Sequence, residues 1–234
     1  MIRALAASVA FTLPLASAAD PKPVEPFNGK DLNGWKLKDP KKSHWQAVGA
    51  AMMDPQKPTE LMLVEAPRAR KEPLELVNAK GGGTDIYTEE KFGDCTIEVE
   101  FMIPKGSNSG VYVMGEYEVQ VFDSFGKPND KLGMGDLGAL YSAAAPKVNA
   151  AKKPGEWQKF VIEFRAPRFE GGKKTANAKF VKVTLNDQVI HENVEMKGPT
   201  PGGLTGKEAP TGPLMFQGDH GPVAFRSIKV TPRP

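Results

Sequence analysis

Residues 107–124 read SNSGVYVMGEYEVQVFDS, and this stretch decides the fold. It predicts two strands joined by a tight turn at Gly115. In the second strand the apolar residues 117, 119 and 121 alternate with Glu118 and Gln120. Successive side chains of a strand point to opposite faces, so one face is apolar and packs inward. The other face carries a carboxylate and an amide two residues apart, which favours a surface that binds a ligand.

The rest of the chain has short β-rich runs separated by Gly and Pro, and no amphipathic helix of ordinary length. Alternation in residues 158–165 indicates a half-buried antiparallel strand. Asn186-Asp187 predicts a two-residue hairpin, because both residues tolerate positive φ. The strands predicted in this way cover residues 45–48, 85–88, 95–103, 110–114, 116–122, 158–165, 178–185, 188–194, 214–217 and 223–230. This pattern predicts an all-β fold, an antiparallel β-sandwich or jelly roll. Two long irregular stretches, 54–83 and 127–155, are expected to rim a groove.

The N-terminus predicts export. Arg3, an apolar run over residues 4–15 and the triplet Ala-Ser-Ala at 16–18 have the organisation of a secretory signal peptide. We therefore expect residues 1–18 to be a signal peptide, 19–26 a flexible Pro-rich lead-in and 27–234 a single domain. The predicted location is secreted or periplasmic, with no membrane span.

The composition of the chain limits which classes of partner it can bind and which cross-links it can form. The chain has 31 basic and 28 acidic residues, with no basic cluster, which argues against a nucleic-acid partner. Cys95 is the single cysteine, so an internal disulfide is impossible. It lies in phase with apolar residues of its strand and is expected to be buried.

A polar row on the sheet is the first candidate site. If the strands at 95–103, 110–114 and 116–122 are neighbours in one curved sheet, then Glu100, Tyr112, Glu118 and Gln120 line its concave face. Rings and carboxylates side by side suit sugars, because C–H faces stack on rings and hydroxyls bond to carboxylates and amides. An ordinary solvated sheet face is the alternative, especially for Glu100.

The segment QGDHG at 217–221 is the second candidate. It brings Gln217 and His220 to a loop after a strand, where His220 is a general acid or base or only a structural loop histidine. Asn108 is either a turn residue or a ligand contact at the strand mouth. Arg226 lies in phase with buried residues and needs an acidic partner, for which Asp219 or Glu118 would serve.

Motifs in order over nearly the whole chain resemble the 3-keto-disaccharide hydrolase family. They are FNGKDLNGW at 27–35, FGDCTIEVEF at 92–101, NSGVYV at 108–113, YEVQVFD at 117–123, PGEW at 154–157, LNDQV at 185–189, and GPLMFQGDHG with FRSIKV in 212–230. The resemblance implies a concanavalin A-like jelly roll, a sugar substrate and a separate sugar 3-oxidoreductase that supplies the keto sugar. Many members have Arg where this chain has Met114, which removes a cation from the expected site.

Two mechanisms remain open from the residues. An ordinary glycosidase needs two carboxyl groups, ~5 Å apart when retaining and ~6.5–9.5 Å when inverting. Glu118 with Glu100 would suit the first spacing, and Glu118 with Asp123 the second. A 3-keto sugar needs one base and a stabiliser of the enolate oxygen instead. Glu118 or His220 is then the expected base, with Gln120, Asn108 and Arg226 orienting or stabilising the substrate.

Two other questions also stay open at this point. A non-catalytic carbohydrate-binding module, with the same fold, is the alternative function. Oxygen and nitrogen donors are present at Asp123, Asp136, Asp219 and His220, but no recognised metal-ligand spacing joins them. No cofactor is certain, and a bound divalent metal is left open.

Overall fold

The computed structural model describes residues 21–65 and 72–233. The predicted signal peptide therefore lies outside the described residues. The described part of the chain has sixteen strands and two short 3-10 turns, at Pro40–Lys42 and Asn129–Lys131. The strands are β1 (Trp35–Leu37), β2 (Trp45–Val48), β3 (Ala50–Met53), β4 (Leu61–Val64), β5 (Glu75–Asn78), β6 (Ile86–Phe92), β7 (Cys95–Met102), β8 (Asn108–Val113), β9 (Tyr117–Phe122), β10 (Gln158–Arg165), β11 (Arg168–Glu170), β12 (Lys173–Ala176), β13 (Ala178–Leu185), β14 (Gln188–Met196), β15 (Gly212–Phe216) and β16 (Val223–Pro232).

Two antiparallel sheets carry the fold. The five-stranded sheet has the order β1-β6-β15-β8-β9, and the seven-stranded sheet has the order β14-β13-β10-β7-β16-β5-β2. The remaining strands form two ribbons, β3-β4 and β11-β12. The predicted jelly-roll β-sandwich is confirmed.

Aromatic side chains join the two sheets through the core. Trp35 stacks on Phe216 within the five-stranded sheet, with ring centroids 5.5 Å apart. Phe216 then stacks on Phe225 of the seven-stranded sheet at 3.9 Å, and Phe225 stacks on Trp45 at 6.1 Å. Because such rings remove a large apolar area from water, this column holds the sheets face to face.

Local predictions made from alternation are confirmed. Phe160, Ile162 and Phe164 of β10 are fully buried, while the residues between them are not. Asn186 and Asp187 have φ of 49° and 66° and connect β13 to β14. Cys95 is fully buried. Register therefore follows the period of two wherever one face is covered and the other is wet.

The expectation of an irregular stretch at 54–83 was wrong in part, because β4 and β5 lie within it. β5 is an interior strand between β16 and β2. Leu76 packs into the main core and Val77 into a smaller apolar cluster on the outer side of the sheet. A strand buried on both faces has no polar alternation, so the sequence pattern did not reveal it.

The predicted lead-in makes several contacts with the sandwich, at Val24, Glu25 and Pro26. Val24 and Val230 exchange two backbone hydrogen bonds of 2.8 Å. Among the residues at 21–65 and 72–233, no helix has the length and apolarity to cross a bilayer.

Candidate active site

The β8–β9 hairpin places the polar row on the outer face of the five-stranded sheet. Tyr112 lies directly opposite Glu118, and Gly110 lies opposite Gln120. On the other side of β8, Gln217 donates its backbone N–H to Gly110 O at 3.0 Å. Two glutamines therefore flank a glycine across three neighbouring strands, with the Tyr112–Glu118 pair in the next row.

Gly110 leaves room for the Glu118 side chain. A Cβ at this position would lie 2.3 Å from Glu118 Oε1 and 2.9 Å from its Cδ. Real Cβ atoms do not approach so closely, so the carboxylate occupies the space over the glycine. The carboxylate thus lies over the strand between the two glutamines.

A hollow of about 220 Å³ opens above this floor. The structure brings six of the predicted site residues together in its lining: Asn108, Tyr112, Glu118, Gln120, Gln217 and His220. Three further lining residues were not predicted: Tyr141, Pro201 and Gly202. Glu118 is the only carboxylate in this lining of described residues.

Glu118 is poised to exchange a proton near neutral pH. The residue is 2% exposed. Burial raises the pKa of Glu118 to about 7, and the nearby Asp85 and Asp219 charges act in the same direction. The Tyr112 hydrogen bond and the charge of His220 oppose this rise in pKa. A carboxyl with a pKa near the working pH is suited to general-base catalysis.

Tyr112 fixes the Glu118 carboxylate. Its hydroxyl donates to Glu118 Oε2 at 2.8 Å and also lies 3.2 Å from Pro201 O. Burial, together with the charge of Glu118, raises the pKa of Tyr112, so the phenol stays protonated as a donor. Pro201 O is a second acceptor within reach of the phenol hydrogen.

The loop that carries Pro201 is tied to the hairpin by Glu116. The buried Glu116 carboxylate accepts hydrogen bonds from Thr205 N at 2.8 Å, Thr205 Oγ1 at 2.6 Å and Gly206 N at 2.9 Å. Thr200 Oγ1 donates to Glu116 O and accepts from Glu118 N. The irregular segment is therefore fixed by backbone and carboxylate contacts rather than by a strand.

Three amide side chains offer hydrogen bonds to a ligand. Gln120 Oε1 accepts from Val121 N at 3.1 Å, which leaves its NH₂ group as the free end. Asn108 Oδ1 and Gln217 Oε1 are buried and have no hydrogen-bond partner among the described residues. Buried acceptors without partners are costly, so the pocket favours a ligand that carries hydroxyl donors.

The QGDHG loop is anchored from below. Asp85 Oδ1 accepts from Gly218 N at 3.1 Å, and Asn78 donates to the carbonyls of Gly218 and Gly221. Gly218 is required, because a Cβ there would lie 2.1 Å from Thr84 O. His220 at the exposed tip pairs through Nδ1 with Asp219. The loop holds an imidazole at the pocket edge with one ring nitrogen left for a ligand.

Tyr141 reaches the pocket from the segment that follows β9 along its open edge. Gln120 N donates to Ala139 O at 2.9 Å, and Tyr141 N donates to Glu118 O at 3.1 Å. This segment lies in the stretch 127–155, which was expected to rim the groove and does so. None of the lining comes from the other expected rim, residues 54–83.

Glu100 and Arg226 are not in the pocket, which corrects two predictions. Glu100 is on β7, and β7 belongs to the seven-stranded sheet. Arg226, on the neighbouring β16, donates to Glu100 Oε2 at 2.6 Å and stacks over Trp157 at 4.1 Å. The partner of Arg226 is therefore Glu100 rather than Asp219 or Glu118. Alternation identified the outward face correctly, but this is the outer face of the opposite sheet.

Asp123 is also outside the pocket lining. Its oxygens accept from Gly106 N at 2.8 Å and from Phe125 N at 3.3 Å, so it stabilises the turn after β9. Asp136 accepts from Lys127 at 2.7 Å. In the part of the chain that the structure describes, no three acidic, His or Cys side chains are grouped to hold a metal ion.

Met114, where an Arg was the expected residue, lines a different hollow. That hollow of about 280 Å³ lies over β6 and β15 on the same sheet and includes Tyr87 and Lys91. A cation at position 114 would therefore lie in this other hollow and would not face Glu118.

Comparison with known proteins gives the family. The sequence model of the 3-keto-alpha-glucoside-1,2-lyase-like domain matches residues 22–231. No curated protein is significantly similar.

Solved structures share the fold. A protein from Parabacteroides distasonis ATCC 8503, provisionally named a glycosyl hydrolase, is 24% identical; the match covers 96% of this chain and 94% of that one, with a TM-score of 0.66. A second protein with that provisional name and organism is 17% identical, with 91% and 94% covered and a TM-score of 0.58. The family match spans most of the sequence, and the chain belongs to the 3-keto-alpha-glucoside-1,2-lyase-like domain family.

Proposed function

We propose that this protein is an exported carbohydrate-active enzyme that cleaves 3-keto-glycosides by elimination followed by hydration. One observation carries the proposal: a single buried carboxylate, with a pKa of about 7, lies among amides and one histidine. Family membership supports the same substrate class.

The carboxylates available at the pocket favour a mechanism with one base over a glycosidase mechanism with two carboxyl groups. Both ordinary glycosidase mechanisms use two carboxyl groups that flank the scissile bond. Glu100 cannot be the partner of Glu118, because the two residues lie in opposite sheets. Asp123 is held in a turn outside the lining.

The proposed reaction needs only one proton acceptor. The C3 carbonyl acidifies the C2 hydrogen, and Glu118 takes that proton while the C–H electrons form the C2=C3 enolate. The enolate then collapses to C1=C2, the C1–O bond breaks, and its electron pair leaves with the aglycone oxygen, which takes up a proton. Water adds across C1=C2, with hydroxide on C1 and a proton on C2, and gives the free 3-keto sugar.

The other side chains have roles set by their position. Gln217 and His220 belong to the β15 side of the pocket, and we assign the NH₂ group of Gln217 and a ring N–H of His220 to the C3 oxygen, where negative charge develops. The free NH₂ of Gln120 and the orphan oxygen of Asn108 bind sugar hydroxyls. Donors placed before the reaction begins stabilise the enolate without reorganisation.

The substrate implies a preceding reaction. A 3-keto sugar arises by oxidation of a C3 hydroxyl, so a separate sugar 3-oxidoreductase must supply it. The signal-peptide pattern of residues 1–18 supports export of the protein to the periplasm or the medium.

The test mixes the purified mature protein with 3-keto-glucosides and the matching plain glucosides, with and without added divalent metals, and follows aglycone release. Release from the keto form alone is expected. Release from plain glucosides would refute the elimination route. Saturable binding of plain glycans without any release would favour the carbohydrate-binding module instead.

A further inference from the structure

A second hollow adjoins the site. It has a volume of about 360 Å³ and shares two lining residues, Tyr141 and Pro201, with the site pocket. The site pocket alone, at about 220 Å³, is smaller than the roughly 300–1,000 Å³ of common ligand pockets. Together the two hollows fall within that range.

Tyr141 is held rigidly between the two hollows. Its backbone N–H bonds to Glu118 O, and the next residue, Ser142, has φ of 57°, a left-handed conformation unusual for Ser. Ala143 N and Ala144 N both donate to Leu140 O, which closes the turn. Strained turns that persist in a folded protein often serve a site. The ring is half-buried, and its hydroxyl has no hydrogen bond among the described residues.

The order of the strands gives the substrate a direction. Across the pocket floor, Gln217 belongs to the β15 side, Glu118 lies in the middle, and Tyr141 follows the free edge of β9. In a pyranose, C1 and C3 lie on opposite sides of C2. If Glu118 takes the proton from C2 and the C3 oxygen faces Gln217 and His220, then C1 and its leaving group face Tyr141.

We propose that the second hollow is the leaving-group subsite and that Tyr141 selects a ring-shaped leaving group, such as a second sugar. This inference rests on the proposed function. Its lining suits such a ring, because Pro199 is apolar and half-buried while Glu195 and Lys197 are charged and exposed. A sugar stacks its C–H face on Tyr141 and bonds its hydroxyls to the charged groups.

The test compares two substrates that share the same keto ring, a methyl 3-keto-glucoside and a 3-keto-disaccharide. In Tyr141→Ala, kcat/KM for the disaccharide should fall about tenfold relative to the methyl glycoside, the loss of one aromatic contact. Tyr141→Phe keeps the ring and should retain the wild-type ratio of kcat/KM for the disaccharide to kcat/KM for the methyl glycoside. Tyr87→Ala is the matched control, since Tyr87 is also half-buried on this sheet but lines the other hollow.

Equal losses for the two substrates, or no loss for either, would overturn the subsite assignment. If the wild-type protein cleaves neither substrate, the proposed function fails, and calorimetric titration with the same two compounds still decides the subsite. Binding of the disaccharide that Tyr141→Ala weakens about tenfold supports it, and binding that is unchanged overturns it.

Discussion

Replacing Tyr112 by Phe should raise the pKa of Glu118 and shift the pH dependence of catalysis. Within the described part of the chain, the Tyr112 hydroxyl is the only hydrogen-bond donor to the Glu118 carboxylate, at 2.8 Å. The bond stabilises the ionised form, so its loss favours the protonated form. A hydrogen bond to a charged group contributes about 1.5–3 kcal/mol, which corresponds to about one to two pH units.

The assay is kcat/KM for aglycone release from a 3-keto-glucoside as a function of pH. In the wild-type protein the rising limb should have its midpoint at about 7, the pKa of Glu118. In Tyr112→Phe the midpoint should lie at about 8 to 9. A ¹³C-NMR titration of the Glu118 carboxyl gives the same pKa without turnover.

Tyr117→Phe is the matched control. It removes a phenol hydroxyl from the same hairpin, but that hydroxyl donates to Glu208 at 2.6 Å and not to Glu118. Its pH profile should match that of the wild type. A midpoint that stays fixed or moves to lower pH in Tyr112→Phe would refute the assignment of Glu118 as the ionising base.

Three further predictions follow from the same geometry. Gly110→Ala places a Cβ 2.3 Å from Glu118 Oε1, so the carboxylate must move and kcat/KM should fall about hundredfold with the fold intact by circular dichroism; near-wild-type turnover would contradict this. The folded pKa of Glu118 is raised from 4.5 to about 7, so its contribution to the free energy of unfolding is complete below pH 4.5 and is lost as pH rises through 7. Urea denaturation at pH 4.5 and 8.5 should therefore reveal a loss of about 3 kcal/mol in the wild-type protein that Glu118→Gln lacks. An equal pH dependence of the two proteins would count against the raised pKa. Arg226→Met breaks the contacts with Glu100 and Trp157, so stability should fall by about 1–2 kcal/mol with kcat/KM unchanged, whereas a tenfold loss of turnover would return Arg226 to the site.

The polar row of the hairpin was predictable because alternation within one hairpin fixes both face and neighbour. Glu118 and Gln120 share a face by parity, and the short turn makes β8 their partner. Parity could not place Glu100, because it distinguishes inward from outward but does not say which of two sheets a strand joins. That choice depends on long-range pairing, here of β7 with β10 and β16.

The residues missed by sequence reasoning lie in irregular segments. Tyr141 and Pro201 lie in segments without periodic alternation. Their positions depend on backbone hydrogen bonds that these segments make to Glu118 O and Glu116 O, which are distant in sequence. A local signal was available for Asp123, because an Asp in a turn often accepts a hydrogen bond from the backbone N–H two residues further on, which forms an Asx turn. Here the donor is Phe125 N.

The most direct test of the central claim is the fate of the hydrogen at C2. A 3-keto-glucoside deuterated at C2 should be cleaved more slowly than the protiated compound by the wild-type protein, and Glu118→Gln should lose turnover while its near-ultraviolet circular dichroism is unchanged. Aglycone release with no isotope effect and no exchange of the C2 hydrogen with solvent, together with turnover retained in Glu118→Gln, would contradict proton abstraction by Glu118.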